Sequence, residues 1–324
     1  MALGIYVKPA DKPVMDNRTE EDVFILNAFS DQGRLRILLF LIFLIIYLAT
    51  VVGNILIILL SKLDCNLHTP MYFFLSNLSF MDICYTNTTI PKMLLIILLK
   101  HSAISPAACA AQLFCFLSLA ASESSLLAFM AYDRYVAICN PLRYTSIMNK
   151  AVCLQMAAGT WIIGCIYGAI HTVTTFRLHF CGSKVLDHYF CDIPPLLKIS
   201  CNDTFFVEAT VFVVGGFLML GCFILILGSY VRILFSVLKI PKANRRGRTF
   251  SICVSHLVVI LLYYGSASIM YFRPKSKLVA DKTWLLSIFY ANITPLLNPV
   301  IYSLRNKDIR RALLKLIKSL QKHN

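Results

Sequence analysis

The chain has 324 residues, 58% of them hydrophobic and only 15% charged, with a mean hydropathy of +0.71. A soluble globular domain carries about 25% charged residues, so this composition excludes one and points to a polytopic membrane protein. The formal charge of +15 does not indicate a nucleic-acid partner: the Lys and Arg residues flank apolar spans and form no interleaved basic–aromatic surface, which fits charge at membrane edges next to lipid.

Met1 to Gln32 is polar and mixed in charge. It has no apolar core of the kind a cleavable signal peptide needs. Asn17-Arg18-Thr19 is a glycosylation sequon within it. Seven apolar spans follow. The first, Ile37 to Ser61, is uncharged throughout and carries Gly53-Asn54; it exceeds the roughly 20 residues a bilayer core requires. The second runs from about Met71 to Leu98 behind Pro70, which suits the first turn of a helix, where its missing N–H costs nothing. The third is Cys109 to Ile138, the fourth about Ala151 to Val173, the fifth about Phe206 to Leu238, the sixth about Thr249 to Phe272 and the seventh about Thr283 to Ser303. Beyond them, Asn306 to Leu320 alternates basic residues (Lys307, Arg310, Arg311, Lys315, Lys318) with apolar ones (Ile309, Leu313, Leu314, Leu316, Ile317). That is the pattern of an amphipathic helix lying on an anionic membrane face.

Basic residues are only slightly more numerous on the side of Arg134 and the C-terminal tail, but Lys239, Lys242, Arg245, Arg246 and Arg248 crowd one short loop there. That clustering makes it the cytoplasmic side. An odd number of spans then puts the N-terminus outside, together with the sequon and the loop from Thr174 to Asp203. This loop holds Cys181, Cys191 and Cys201 at equal ten-residue spacing, in the oxidising compartment that disulfides require. Cys109, at the start of the third span, is a fourth cysteine on that side, and four cysteines allow three connectivities. Others of the twelve cysteines, such as Cys115, Cys165, Cys222 and Cys253, lie inside spans as small buried hydrophobes. With no CxxC pair, a zinc site is not expected.

Ionisable groups in a membrane are costly and usually functional. Asp82 and Glu123 are the only carboxylates deep inside the spans, and Asp133-Arg134 stand where the third span ends. Two classes of function use such acids. In a transporter they make an ion or proton path; but seven spans do not divide into equal halves and no internal repeat is present. In a receptor they form a polar switch.

Five runs decide between these classes by resemblance. Met130 to Cys139 reads MAYDRYVAIC; Leu67 to Ser79 reads LHTPMYFFLSNLS; Asp187 to Cys201 carries HYFCD and the last two loop cysteines; Arg248 to Leu257 reads RTFSICVSHL; and Pro295 to Asn306 reads PLLNPVIYSLRN. All resemble the odorant receptors, a branch of the rhodopsin-like G-protein-coupled receptors, in the right order and spacing from the first span to the seventh. Arg248, Thr249 and Ile252 depart mildly from the family's KAFSTCxSHL, and Tyr263-Tyr264-Gly265 has Tyr where the family has Phe. The first 14 residues extend beyond the usual start, which makes Met15 an alternative one.

The resemblance implies an all-α membrane protein: an extracellular N-terminal tail over 1–36, a seven-transmembrane helix bundle over 37–303, and a cytoplasmic amphipathic helix and tail over 304–324. It implies an olfactory receptor at the plasma membrane, not an enzyme, that binds a small-molecule odorant and activates the heterotrimeric olfactory stimulatory G protein to raise cyclic AMP; a rhodopsin-like receptor for a non-olfactory chemical signal remains the alternative. It implies the pairings Cys109–Cys191 and Cys181–Cys201, and glycosylation at Asn17. Coupling and activation fall to Asp133, Arg134, Tyr135, Tyr230, Asn298, Pro299 and Tyr302, with Arg134 leaving Asp133 as the sixth span swings out. No organic cofactor is expected; Asn54, Asp82, Glu123 and Asn298 form a polar core suited to a sodium ion. Counting back from Arg134, Phe116 takes the place where aminergic receptors have an aspartate. Around it, spacings of three or four residues collect Phe116, Leu117 and Ala120 on the third span, Val211, Val214 and Leu218 on the fifth, and Tyr264, Ser268 and Tyr271 on the sixth. This cradle has no charge, so the expected ligand is neutral and mostly apolar, with a polar atom reaching Ser268 or a tyrosine hydroxyl.

Overall fold

A computed structural model describes residues 23–28, 35–99, 101–181, 183–239, 243–271, 287–304 and 307–323. Seven helices form the bundle: α1 (Arg36–Leu63), α2 (Pro70–Leu99), α3 (Pro106–Cys139), α4 (Lys150–Phe176), α5 (Phe205–Leu238), α6 (Ala243–Tyr271) and α7, a π turn at Phe289–Ile293 running into Thr294–Leu304. An eighth helix, α8 (Lys307–His323), follows. At about 1.5 Å per residue the first five exceed the roughly 30 Å hydrocarbon thickness of a bilayer.

Local sequence explains where several of these helices begin and end. The Ser105 side chain accepts from Ala108 N at 3.3 Å with Pro106 behind it, and the Asn149 side chain accepts from Val152 N at 3.0 Å. Both are N-caps of the favoured type. The open carbonyls at the end of α2 are taken by Arg36, which donates to Ile97 O at 2.9 and 2.6 Å and to Leu98 O at 2.7 Å. Among the described residues two helices contain π turns, Val211–Gly215 in α5 and Phe289–Ile293 in α7, and two contain an internal proline, Pro91 in α2 and Pro299 in α7.

The bundle is organised about α3. In its most apolar stretch 78% of residues are buried, against 22% in α1 and in α5, which turn most of their aliphatic surface outward. The closest packing is between α3 and α4. A Cβ on Gly164 would sit 2.3 Å from Ser118 O, and one on Gly168 would sit 2.8 Å from Phe114 O. Only glycine lets the two backbones come this near, the small-xxx-small device of membrane helices. At the other side of the bundle Gly53 admits Pro299, whose ring atoms would lie 3.2–3.3 Å from an added Cβ.

A small sheet caps one end. Its central strand, β1 (Phe24–Leu26), pairs antiparallel with β2 (Ser102–Ile104), Phe24 opposite Ile104, and parallel with β3 (Val185–Leu186), Leu26 opposite Leu186. Phe24 and Leu26 are buried, and Phe24 meets Phe180 edge-on at 5.3 Å. The segment expected to be a plain polar tail therefore closes with a strand that ties it to the α2–α3 and α4–α5 loops. At the opposite end α8 is held by Tyr72, which donates to Asp308 at 3.4 Å, and by Lys315, 3.9 Å from Asp64.

Candidate functional site

The α4–α5 loop does more than cover the bundle. Disulfides join Cys109 to Cys191 and Cys181 to Cys201, and between them His188, Tyr189, Phe190, Cys191 and Asp192 are all fully buried. The first bridge fixes this segment to the start of α3, where Cys191 N also donates to Gln112 Oε1 at 3.0 Å. Phe190 packs on Phe116 at 4.5 Å, and Phe116 on Tyr85 at 5.0 Å. His188 stacks on Tyr189 at 5.0 Å, and its Nε2 lies 3.2 Å from Ser287 Oγ; Asn292 donates to the Tyr189 hydroxyl at 3.3 Å. Burial pushes the His188 imidazole down to a pKa of about 3 and raises that of the Tyr189 phenol, so both are neutral. Asp192 caps the short helix Ile193–Lys198 by accepting from Ile193 N at 2.8 Å.

Beneath this plug lies a cavity between α3, α5 and α6. Phe116, Leu117, Ala120 and Ser124 line it from α3, Val211, Gly215, Leu218 and Met219 from α5, Tyr263 and Ala267 from α6, with Tyr85 and Tyr167 from α2 and α4. Of the residues expected from spacing, Phe116, Leu117, Ala120, Val211 and Leu218 are on this wall. Val214, Tyr264 and Ser268 are not. The π turn explains Val214: a wider turn places Gly215, not Val214, one turn below Val211. On α6 the inward face is rotated by one residue. Tyr263 donates to Ala120 O, Tyr264 is spent on Ser124 (O at 3.0 Å, Oγ at 2.7 Å), and Ser268 is exposed. The side chain of Tyr271 lies outside the described residues. Tyr167 escaped the sequence reading, although Gly164-x-x-x-Gly168 around it is a legible sign that α4 turns that face onto α3.

Deeper in the bundle the four expected core residues come together. Asp82 accepts from Asn298 Nδ2 at 3.1 and 3.0 Å, one contact to each carboxylate oxygen. Glu123, also fully buried, interacts with the same asparagine and faces Asp82. Asn54 donates to Thr50 O at 3.0 Å and Pro295 O at 3.3 Å. Three oxygens here, Asn54 Oδ1, Glu123 Oε1 and Asn298 Oδ1, have no hydrogen-bond partner among the described residues.

At the far end of α3, Asp133 is buried and accepts from Tyr144 at 2.8 Å. Burial, and then the Asp133 charge, hold the Tyr144 pKa well above the ordinary phenol value, so it stays a donor. Among the described residues Arg134 closes no direct ion pair with Asp133, although its charge still acts on that carboxylate; its guanidinium contacts Met71 of α2. The direct hydrogen bond to Asp133 thus comes from Tyr144, with the Arg134 charge nearby. Adjacent residues on a helix point roughly 100° apart, which favours a partner from the following loop. The Tyr135 ring meets that of Tyr132 tilted at 42°, centroids 6.0 Å apart, and Tyr230 is buried on α5. Pro299 packs on Gly53. Asn17 and the side chain of Tyr302 lie outside the described residues.

A family model described as olfactory receptor matches residues 43–320. Among curated relatives, olfactory receptor 5M5 of Mus musculus is 44% identical over 307 residues, covering 95% of this chain and 96% of the relative. Olfactory receptor 5AP2 of Homo sapiens is 45% identical over 93% of this chain and 95% of its own, and olfactory receptor 9G4 of Homo sapiens 47% identical over 92% and 91%.

Proposed function

Because the chain belongs to the olfactory receptor family, we propose that its cavity takes small neutral odorants and that its Arg134 end engages the olfactory stimulatory G protein, raising cyclic AMP. It is an olfactory G-protein-coupled receptor, not an enzyme, and the family removes the transporter alternative. The observation that carries the ligand class is the wall of the cavity: among the described residues none of its lining is charged. A charged ligand would lose hydration there without gaining an opposite charge.

In this reading the chain sits in the plasma membrane with its N-terminus, the sequon Asn17 and both disulfides outside, and α8 on the cytoplasmic leaflet. Odorant binding is a population shift, so the ligand must contact the active packing better than the resting one. The resting contact to be broken is Tyr144–Asp133. Pro299, which removes a backbone bond from α7, supplies the hinge next to Asn298, and Tyr230 and Tyr302 hold the opened cleft. The polar core fits a sodium ion: it offers hard oxygen donors, three of them unpaired and two of its side chains carboxylates. Asn54, Asp82, Glu123 and Asn298 would hold the ion, which would supply positive charge between the two acids and favour one helix packing over another.

The test is a cyclic AMP reporter assay on a panel of alcohols, ketones, esters, carboxylates and protonated amines, with surface display measured in parallel. Neutral members are expected to act, and Phe116→Asp to silence them when the response is normalised to surface level. A receptor answering only to carboxylates or amines would refute the ligand class. Full signalling by Arg134→Ala would refute the coupling assignment.

A further inference from the structure

One turn of α4 carries polar atoms that the structure leaves unsatisfied. His171 has no exposed surface, and neither Nδ1 nor Nε2 has a hydrogen-bond partner among the described residues. The hydroxyl oxygens of Thr172 and Thr175 are unpaired as well, and Thr175 is fully buried. The neighbouring Thr174 shows the usual outcome: its hydroxyl donates to Ile170 O at 2.9 Å and contacts His171 O at 3.1 Å. A neutral imidazole presents one N–H donor and one acceptor, and buried polar groups in native proteins are nearly always paired, with protein or with something bound.

The unsatisfied turn adjoins the cavity. His171 lies one turn from Tyr167 on the same helix, ring centroids 4.3 Å apart at 60°, and Tyr167 is part of the cavity wall. Between them Gly168 presses α4 onto Ser118, whose hydroxyl is also unpaired and which follows the lining residue Leu117. Tyr263 and Tyr264 donate to carbonyls of α3, and Ser268 is exposed. Open hydrogen-bonding capacity beside this apolar cavity is found at Ser118 and at His171, and of the two only the imidazole leaves a whole ring's donor and acceptor unused.

We propose that His171 is the polar subsite of the odorant cavity and binds the carbonyl or hydroxyl oxygen of an otherwise apolar ligand. The proposal rests on the reading of the cavity as an odorant site and names the ligand class within it: monofunctional ketones, aldehydes, esters and alcohols in preference to hydrocarbons. The imidazole N–H donates to the ligand oxygen, the alkyl part lies against Phe116, Val211 and Leu218, and Thr175, four residues on and on the same helix face, is placed to partner the second ring nitrogen once the ring turns toward the ligand.

The experiment uses full-length receptor and matched ligand pairs, medium-chain ketones or alcohols against alkenes of the same length. It reads thermal stabilisation of the purified receptor and, separately, cyclic AMP. Wild type should be stabilised at lower concentration by the oxygenated member. His171→Phe, which keeps a ring on Tyr167 but removes both nitrogens, should raise the half-effective concentration of that member about tenfold, the effect of one lost buried hydrogen bond, and leave the alkene unchanged. His171→Gln should restore part of the preference. If His171→Phe does not fold, Thr175→Val should lower the same preference. The proposal is overturned if wild type shows no preference, if His171→Phe shifts both members equally, or if it shifts neither, the outcome expected when an internal water alone satisfies the ring. Stabilisation without a cyclic AMP response would leave the subsite standing and overturn the signalling reading instead.

Discussion

Replacing Gly164 by alanine adds one methyl group at the tightest point of the bundle. Its Cβ would lie 2.0 Å from Ser122 Oγ and 2.3 Å from Ser118 O. The Ser122 hydroxyl can turn away, but it then gives up its 3.1 Å bond to Thr160 O, worth about 1 kcal/mol. The Ser118 carbonyl belongs to the backbone of α3 and cannot turn, so the two helices must part, and such overpacking costs about 1–3 kcal/mol. Alanine offsets about 1 kcal/mol of this through its better helix propensity. The net expectation is a loss of about 1–3 kcal/mol. Gly159, on the same helix, has nothing within 4 Å of where an added Cβ would sit, so Gly159→Ala should gain up to about 1 kcal/mol. The two variants make the same chemical change in the same helix and should differ by about 2–4 kcal/mol, read as a gap of several degrees in the melting of purified receptor and as reduced surface display of Gly164→Ala. Gly164→Ala melting at or above Gly159→Ala would refute the close-packing argument.

Three further outcomes follow from the site. Cys109→Ser and Cys191→Ser should each abolish surface display, since loss of a native bridge costs about 2–5 kcal/mol in small secreted domains and here frees the buried plug; non-reducing peptide mapping that found either residue as a free thiol in active receptor would count against the pairing. Tyr144→Phe removes the donor to Asp133 and should raise basal cyclic AMP at constant surface level; unchanged basal activity would mean that this contact does not hold the resting state. His188 has a folded pKa of about 3 against 6.5 when solvated, so the unfolded chain binds the extra proton as pH falls. Stability should therefore decline below pH 6.5, by about 1.4 kcal/mol between pH 7.5 and 5.5, and His188→Asn should flatten that slope; an equal slope in the variant would show that His188 is not its source.

The ends of the spans are legible because a bilayer imposes one strong constraint, a run of about 20 apolar residues with its backbone bonds closed internally. The fifth span is expected from about Phe206 to Leu238 and the structure has Phe205–Leu238; the fourth is expected from about Ala151 to Val173 and the structure has Lys150–Phe176. The strand at Phe24–Leu26 is not legible. Val23-Phe24-Ile25-Leu26 is a short apolar run within the polar tail, but nothing in it says that it pairs with two distant loops. The buried acids Asp82 and Glu123 can be singled out in the sequence, since carboxylates inside apolar spans are conspicuous. Their shared asparagine, Asn298, can be named only by resemblance.

Sequence alone determined which stretches are long and apolar enough to span a membrane and that the chain resembles a receptor, and it led to the expectation of an uncharged pocket. Only the tertiary structure decided which side chains form that pocket. A helical face is assigned from spacing by assuming 3.6 residues per turn throughout; the π turn at Val211–Gly215 breaks that assumption in α5, and a rotation of one residue in α6 exchanges Tyr264 and Ser268 for Tyr263 and Ala267. Tyr167 and His171 enter because Gly164 and Gly168 let α4 close on α3. Such contacts depend on how two helices approach each other, and in a membrane, where lipid is as apolar as the side chains, burial pattern does not reveal in advance which face meets protein.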